Sequence, residues 1–178
     1  MNGIYWKKFY ENFKIRTPSD FAQFCLGYFV KHDIKWLIDV GCGNGRDSYY
    51  FSRNGIKVIG VDLSSSPKNS ELATFIKASF DHYNEFNLPV YARFFLHSIS
   101  DHEILHFIKM AQNYIFLEFR DKEDEPILFK HERNKVDSNI ILKLLLRNKF
   151  DILYFNKSKG LAKLDGENPL ICRIIAKK

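Results

Sequence analysis

A short glycine-rich segment between two apolar runs constrains this chain more than any other feature. Residues 36–45 read Trp-Leu-Ile-Asp-Val-Gly-Cys-Gly-Asn-Gly, and a second apolar run ends at Asp62, 17 positions after Gly45. Alternating glycines let the backbone adopt left-handed conformations and bring a ligand close to the main chain. Asp62, at the tip of the next predicted strand, is placed to accept hydrogen bonds from both hydroxyls of a ribose. The pattern predicts a nucleotide site between a strand and a helix.

The glycine spacing differs from that of the dinucleotide fingerprint. That fingerprint would need a glycine at position 46, where this chain has Arg46. The spacing therefore points away from NAD. A tight strand-to-helix turn in some other α/β protein is the plain structural alternative, and three alternating glycines with a spaced acid make it the weaker interpretation.

Composition indicates one ordinary domain over residues 1–178. A hydrophobic fraction of 46% supplies core material for a chain of 178 residues, which is too short for two substantial cores. No apolar run approaches the ~20 residues needed to span a bilayer. The three cysteines form no disulfide framework, which favours a reduced, cytoplasmic protein. The net charge is +6, but the sequence contains no long block of basic residues, so nucleic acid is not a favoured partner.

Hydrophobic periodicity and turn residues predict alternating strands and helices. Strands are predicted at residues 35–40, 57–61, 74–78, 90–96, 114–119, 152–155 and 170–176, and helices from Thr17-Pro18 onward and at 46–53, 101–112 and 138–148. Ser100 and Glu103 match a capping box at the start of the third helix. Such alternation predicts a mostly parallel sheet with helices on both faces.

Charged residues interrupt or end two of the later predicted strands. Arg93 lies inside an apolar strand, where an unpaired guanidinium is costly to bury. Alternation predicts that Arg93 shares a face with His97, and that Glu118 and Arg120 emerge beside them from the next strand. Because open α/β sheets bind ligands at the carboxyl ends of their strands, these residues are candidates for an acceptor site.

Two loop residues, His131 and Arg133, complete the candidate catalytic set. A histidine could remove the proton of a hydroxyl acceptor near neutral pH. A phosphoryl or carboxylate acceptor needs cationic donors instead, and the arginines favour such an anionic acceptor. Each residue also has a structural interpretation: Arg93 and Glu118 as a buried ion pair, His97 as a ring satisfied by backbone groups, and Arg133 as a solvated loop charge.

The glycine segment with its two acids resembles the first two motifs of class I S-adenosylmethionine-dependent methyltransferases. The resemblance implies a Rossmann-like, mostly parallel seven-stranded sheet of order 3-2-1-4-5-7-6 with an antiparallel last strand. It implies S-adenosylmethionine as cofactor, with S-adenosylhomocysteine as product and no metal. The residues that would bind the cofactor are Tyr10, Asp39, Gly41, Cys42, Gly43, Asn44, Gly45, Arg46, Asp62, Leu63, Ser79, Phe80 and Arg93. Ser79 replaces the acid that usually binds the adenine amino group in this family, and Phe80 can still pack on the ring.

Further segments resemble one branch of that family, which occurs among bacterial surface-polysaccharide genes. Residues 93–99, 118–121, 160–163 and 167–169 carry this resemblance, together with Pro18-Ser-Asp-Phe-Ala22. The branch also carries an N-terminal aromatic segment over the cofactor, so residues 1–16 are expected to form a lid. The resemblance implies a transferase of capsule or lipopolysaccharide synthesis.

These observations predict an O-methyltransferase acting on a sugar hydroxyl or a phosphoryl oxygen of a small or glycan-precursor acceptor. Two alternatives stay open. An RNA methyltransferase would fit the basic charge, although the Asn/Asp-Pro-Pro-aromatic tetrapeptide of nucleic-acid amino methyltransferases is absent. A non-catalytic cofactor-binding subunit would fit the short region between Asp62 and Val90. The sequence leaves the oligomeric state open.

Overall fold

A seven-stranded sheet organises the chain in the computed structural model, which describes residues 17–65, 67–83, 85–124, 134–163 and 167–178. The strands are β1 Trp36–Val40, β2 Lys57–Asp62, β3 Ala73–Lys77, β4 Val90–Arg93, β5 Tyr114–Arg120, β6 Asp151–Ser158 and β7 Ile171–Lys177. Their order is β3-β2-β1-β4-β5-β7-β6. Strands β1 to β5 are parallel, and β7 runs antiparallel to both of its neighbours. The strand order and the antiparallel last strand are confirmed.

Four helices cover the two faces of this sheet in the described residues. They are α1 Asp20–Lys31, α2 Arg46–Arg53, α3 Asp101–Met110 and α4 Ser138–Arg147. Helices α1 and α2 pack on one face around Phe29, Phe51 and Phe116. Helices α3 and α4 pack on the other, where Phe107 and Leu145 are fully buried. Because both faces are covered, the central strands are apolar along nearly their whole length, as parallel strands generally are.

Helix α1 begins slightly later than the sequence predicts. Its N-cap is Ser19, whose hydroxyl accepts a hydrogen bond from the backbone N–H of Ala22 at 3.0 Å. Pro18 precedes the cap, so the predicted start at Thr17-Pro18 is corrected to Asp20. A serine cap satisfies one of the N–H groups that the first helical turn leaves unpaired.

Strand β4 is shorter than predicted, and this changes the sheet edge at which the candidate acceptor residues were expected. It ends at Arg93, because Phe94 takes a left-handed conformation with φ 53° and the chain then enters a 3-10 turn at Leu96–Ser98. The predicted strand at 90–96 is therefore wrong beyond Arg93. The predicted alternation of Arg93 with His97 also fails, since strand periodicity stops before His97.

Helices α2 and α3 agree closely with the sequence. Helix α2 spans residues 46–53 as predicted, and α3 begins with the predicted capping box, in which Ser100 Oγ and the Glu103 carboxylate exchange hydrogen bonds with backbone N–H groups. Helix α3 ends at Met110, two residues before the predicted end, because Ala111 is extended and pairs with Phe86. In the described part of the chain, no helix has the length and apolarity required to cross a membrane.

Candidate functional site

The loop between β1 and α2 takes the conformation that its glycines allow. Gly41, Gly43 and Gly45 have φ values of 75°, 55° and 75°. A Cβ on Gly41 would lie 2.8 Å from Phe95 Cδ2, and one on Gly45 would lie 2.9 Å from Phe75 Cζ. Side chains at these positions would therefore meet both backbone strain and a neighbouring ring. The loop stands at the point where the strand order reverses between β1 and β4, which is where open α/β sheets bind ligands.

Asp62, at the end of β2, is fixed against this loop. Its Oδ2 accepts a hydrogen bond from the backbone N–H of Gly43 at 3.0 Å. Its Oδ1 accepts bonds from the backbone N–H groups of Ser64 and Ser65 and from the Ser64 hydroxyl, at 2.8–2.9 Å. A carboxylate offers about four acceptor positions over its two oxygens. Oδ2 accepts one hydrogen bond, from Gly43, and therefore has the capacity to accept another from a ribose hydroxyl.

Asp39 lies beneath the loop and differs from Asp62 in its electrostatics. It is 3% exposed, and its carboxyl accepts a hydrogen bond from the hydroxyl of Ser48. Burial raises the pKa of Asp39 to about 8, and the nearby charges of Asp47 and Asp62 act in the same direction. Burial thus favours the protonated form of Asp39, while its hydrogen bond to Ser48 joins β1 to α2.

The remaining loop residues take different positions. Cys42 and Asn44 are buried, and Asn44 Oδ1 accepts a hydrogen bond from the backbone N–H of Arg46 at 3.3 Å. Burial raises the pKa of the Cys42 thiol well above its ordinary value, so it is a neutral packing group. Burial, and next the positive charge of Arg93, lower the pKa of Arg46. The Arg46 and Arg93 guanidiniums are therefore within electrostatic range of each other.

Ser79 and Phe80, which were predicted to lie near adenine, follow β3, and Leu63, predicted to bind the cofactor, follows β2. Leu63 is 40% exposed and directly follows Asp62. Ser79 is half-buried and precedes the 3-10 turn Phe80–His82. Phe80 is only 3% exposed and packs edge-on against Phe95 and Phe107. Phe80 is therefore part of the core under this region, whereas Leu63 is an exposed apolar side chain beside Asp62.

A buried hydrogen-bond network around Asp47 escaped the sequence analysis. The Asp47 carboxylate accepts bonds from the backbone N–H and the hydroxyl of Ser19, both at 2.8 Å, and from the Tyr91 hydroxyl at 2.9 Å. The network joins the N-terminus of α1, the first turn of α2 and strand β4. One signal was available in the sequence: an acid in the first turn of the helix after the glycines. Its partners at positions 19 and 91 could not be identified without the tertiary structure.

Arg93 and Glu118 meet as the sequence suggested, but with a third residue. Arg93 Nε lies 2.8 Å from Glu118 Oε1, and Arg173 Nε from β7 lies 2.6 Å from Glu118 Oε2. Arg173 also donates to the carbonyl oxygen of Leu161 at 2.7 Å and stacks over Phe21. Burial is the largest single influence and lowers the pKa of Arg93, but the negative charges of Glu118 and Asp47 and the hydrogen bond to Glu118 together raise it overall. The cluster keeps one net positive charge, with Glu118 as the shared centre.

Arg120, expected to face a substrate, is held by two carboxylates. Its Nε lies 3.2 Å from Asp124 Oδ2, and its Nη2 lies 2.6 Å from Glu167 Oε2. The side chain of Asp124 is 5% exposed and that of Glu167 is 45% exposed. The sequence indicates Arg120 but does not pair it with either acid, because both acids belong to loops whose path only the fold decides.

His97 lies next to Arg120, as predicted, but its ring is buried against the Arg120 backbone. It is 8% exposed, and its Nε2 lies 3.0 Å from the carbonyl oxygen and 3.1 Å from the backbone nitrogen of Arg120. The carbonyl oxygen of His97 accepts a bond from the N–H of Asn134. This geometry favours the interpretation of a ring satisfied by backbone groups. A role as general base stays a prediction.

Several predicted site residues lie outside the described part of the chain. They are Tyr10, His131 and Arg133. Residues 1–16, which were expected to form a lid, also lie outside the described residues. Among the described residues, no cluster of histidine, cysteine and acidic side chains is arranged to hold a metal ion.

Comparison with known proteins gives a likeness in structure and none in sequence. No protein-family model matches the chain, and no curated protein matches it either. Magnesium protoporphyrin IX methyltransferase from Synechocystis PCC 6803, solved with bound S-adenosylmethionine, is 17% identical; the match covers 86% of this chain and 77% of that one, with a TM-score of 0.65. An S-adenosylmethionine-dependent methyltransferase from Methanosarcina mazei is 18% identical over 84% and 96% of the two chains, with a TM-score of 0.68.

A third similar structure contains a small-molecule substrate. The 1,6-didemethyltoxoflavin-N1-methyltransferase of Burkholderia thailandensis, solved with 1,6-didemethyltoxoflavin and S-adenosylhomocysteine, is 15% identical over 89% of this chain and 78% of that one, with a TM-score of 0.68. At such identities the likeness concerns the fold. The chain has the Rossmann-like fold of class I methyltransferases, and proteins of this fold act on different molecules.

Proposed function

We propose that this protein is an S-adenosylmethionine-dependent methyltransferase that acts on a small acceptor. The observation that carries the proposal is the pairing of Asp62 Oδ2 with the backbone N–H of Gly43. It holds the ribose-binding acid against a loop of three left-handed glycines, at the switch point of the sheet. The fold shared with cofactor-bound methyltransferases supports the same conclusion.

The residues around the loop fit each part of the cofactor. The backbone of Gly41 and Gly43 would lie along its methionine part, Asp62 would accept from the ribose, and exposed Leu63 would cover the adenine. Arg46 and Arg93 repel each other electrostatically, and an α-carboxylate bound beside them would relieve that repulsion. When bound, S-adenosylmethionine supplies a methyl group already activated by its sulfonium.

The chain's own contribution to catalysis would then be alignment. Holding an acceptor oxygen in line with the activated methyl can supply about 7–11 kcal/mol of barrier reduction. The glycine loop and the fixed carboxylate of Asp62 locate one reactant. The carboxyl ends of β4 and β5 would locate the other, because Arg93 and Arg120 both lie at this edge.

For the acceptor, we propose an oxygen of a sugar or of a phosphoryl group from capsule or lipopolysaccharide synthesis. The support is the resemblance of residues 93–99, 118–121 and 160–163 to the surface-polysaccharide branch. The positive charge left on the Arg93, Glu118 and Arg173 cluster is compatible with an acceptor that carries a negative charge.

Calorimetry tests the cofactor and a turnover screen tests the acceptor. The protein is expected to bind S-adenosylhomocysteine and to show no comparable binding of NAD. A screen against phosphorylated sugars and nucleotide-linked surface precursors, read out as S-adenosylhomocysteine release, identifies the acceptor class. Binding of cofactor without turnover on any acceptor, RNA included, would instead favour the non-catalytic subunit. Absence of cofactor binding would contradict the whole proposal.

A further inference from the structure

The contact between Arg120 and Glu167 joins two parts of the candidate acceptor edge. Arg120 ends β5, and Glu167 lies in the connection between β6 and β7, 47 residues later. Their side chains meet at 2.6 Å between Nη2 and Oε2. The bond is a charge-assisted pair of guanidinium and carboxylate, the same chemistry by which an arginine holds an anionic substrate.

The two carboxylates on Arg120 differ in how firmly they are held. The Asp124 side chain is 5% exposed, and its Oδ1 accepts a bond from the backbone N–H of Leu170 at 2.8 Å. The Glu167 side chain is 45% exposed and, in the described part of the chain, has no ionic partner other than Arg120. Asp124 therefore fixes the guanidinium from one side, while Glu167 occupies its other side from solvent. An exposed ion pair of this kind is weak and can be exchanged.

We propose that Glu167 is a displaceable internal carboxylate that occupies the anion position of Arg120 until an anionic acceptor replaces it. This inference rests on the proposed function, because it places the acceptor at the carboxyl end of β5. It makes Glu167 a specificity-determining residue. A neutral acceptor cannot compete for the guanidinium, whereas a phosphorylated acceptor exchanges one charge-assisted bond for another.

Exchange of Glu167 for an anionic acceptor also explains how Arg120, although paired with a carboxylate, can still bind a substrate. Without a substrate, an arginine at a partly buried edge needs a negative partner, because an uncompensated guanidinium is costly there. Asp124 is one such partner on the buried side, and Glu167 is a second partner in the resting protein, whose exposed side chain can turn into water when replaced. The arginine thus keeps its geometry for recognition.

The test compares two glutamates of matched exposure at this edge. Glu167→Gln removes the carboxylate on Arg120, and the control Glu123→Gln removes a carboxylate that lies 2.8 Å from Lys157 and is 52% exposed. Both variants change the net charge equally, so general electrostatic attraction is the same. The probes are glucose 1-phosphate and its neutral counterpart glucose, titrated by NMR into protein saturated with S-adenosylhomocysteine.

The proposal expects Glu167→Gln to bind glucose 1-phosphate about two- to fivefold more tightly than the parent, which is the range of one exposed ion pair. Glu123→Gln is expected to match the parent, and glucose affinity should not change in either variant. In an Arg120→Met background, Glu167→Gln should give no gain, because the residue with which Glu167 competes is gone.

Four results would overturn the proposal: no gain in Glu167→Gln, equal gains in the two glutamine variants, a gain that persists without Arg120, or no glucose 1-phosphate binding by parent and Glu167→Gln alike. Calorimetry with S-adenosylhomocysteine on each variant separates the two levels of inference. If cofactor binding is intact and Glu167→Gln has no effect, only the proposed exchange at Arg120 is contradicted. If the parent does not bind the cofactor, the proposed function itself is contradicted.

Discussion

The proposed cofactor side and the proposed acceptor side of this sheet edge are made in different ways. On the cofactor side, one continuous segment from β1 to β2 supplies the glycines and the acid, and the key bond joins residues 19 positions apart. On the acceptor side, Arg93, Glu118 and Arg173 come from three strands, and Glu118 bonds a residue 55 positions away. The first site depends on backbone conformation, and the second depends on which charges the fold brings together. Local motifs therefore predict the first much better than the second.

The largest expected effect concerns the centre of the acceptor-side cluster. Glu118→Gln leaves the buried guanidiniums of Arg93 and Arg173 without their shared negative charge. We expect a loss of about 3–5 kcal/mol in the free energy of unfolding, the usual result of removing one member of a buried ion pair. Urea denaturation measures this loss. A variant as stable as the parent would mean that the cluster is not the tight buried unit described above.

On the cofactor side, the corresponding change is Asp62→Ala. We expect it to weaken S-adenosylhomocysteine binding by about 1.5–3 kcal/mol, through the loss of charged hydrogen bonds to the ribose. Calorimetry measures the affinity. Ser64→Ala is the control, since it removes one bond to Asp62 Oδ1 and leaves the carboxylate and its bond to Gly43 in place. Equal affinities of Asp62→Ala and the parent would contradict the ribose assignment.

A third prediction uses the buried acid under the loop. Because the folded pKa of Asp39 is about 8 and its ordinary value is 3.8, the folded protein keeps a proton that the unfolded chain loses between these values. Unfolding thus becomes easier as pH rises through this window. From pH 5 to 7 the parent should lose about 1–3 kcal/mol of stability more than Asp39→Asn. Urea denaturation at several pH values checks this, and parallel curves would show that Asp39 is ionised in the folded state.

The smallest expected effect is that of Arg120→Lys. The charge is kept, but the lysine ammonium lacks the planar guanidinium that contacts Asp124 on one side and Glu167 on the other. We expect a stability change below about 1 kcal/mol, because Glu167 is exposed, and unchanged affinity for S-adenosylhomocysteine. Turnover on a phosphorylated acceptor should fall, since bidentate geometry is lost. Normal turnover in this variant, or a preference for a neutral sugar with a single histidine titration, would refute the anionic acceptor.

Much of the fold was predictable because its signals are local. The glycines at 41, 43 and 45, the capping box of α3 and the bounds of α2 follow from backbone conformation and short-range hydrogen bonds. The strand order came from the resemblance, because periodicity does not carry that information. The end of β4 at Arg93 was not predicted, because the left-handed residue after it is Phe94 and not a glycine, which would have indicated a turn.

By itself, then, the sequence determined the glycine loop, the acid of β2, and the position of Glu118 and Arg120 near the carboxyl end of β5. The tertiary structure alone decided the environment of the charged residues: Asp39 has a raised pKa, Glu118 is shared by two arginines, Arg120 is joined to Glu167, and His97 is bonded to backbone groups. The physical reason is that backbone conformation depends on neighbouring residues, whereas the ionisation and pairing of a side chain depend on burial and on partners distant in the chain.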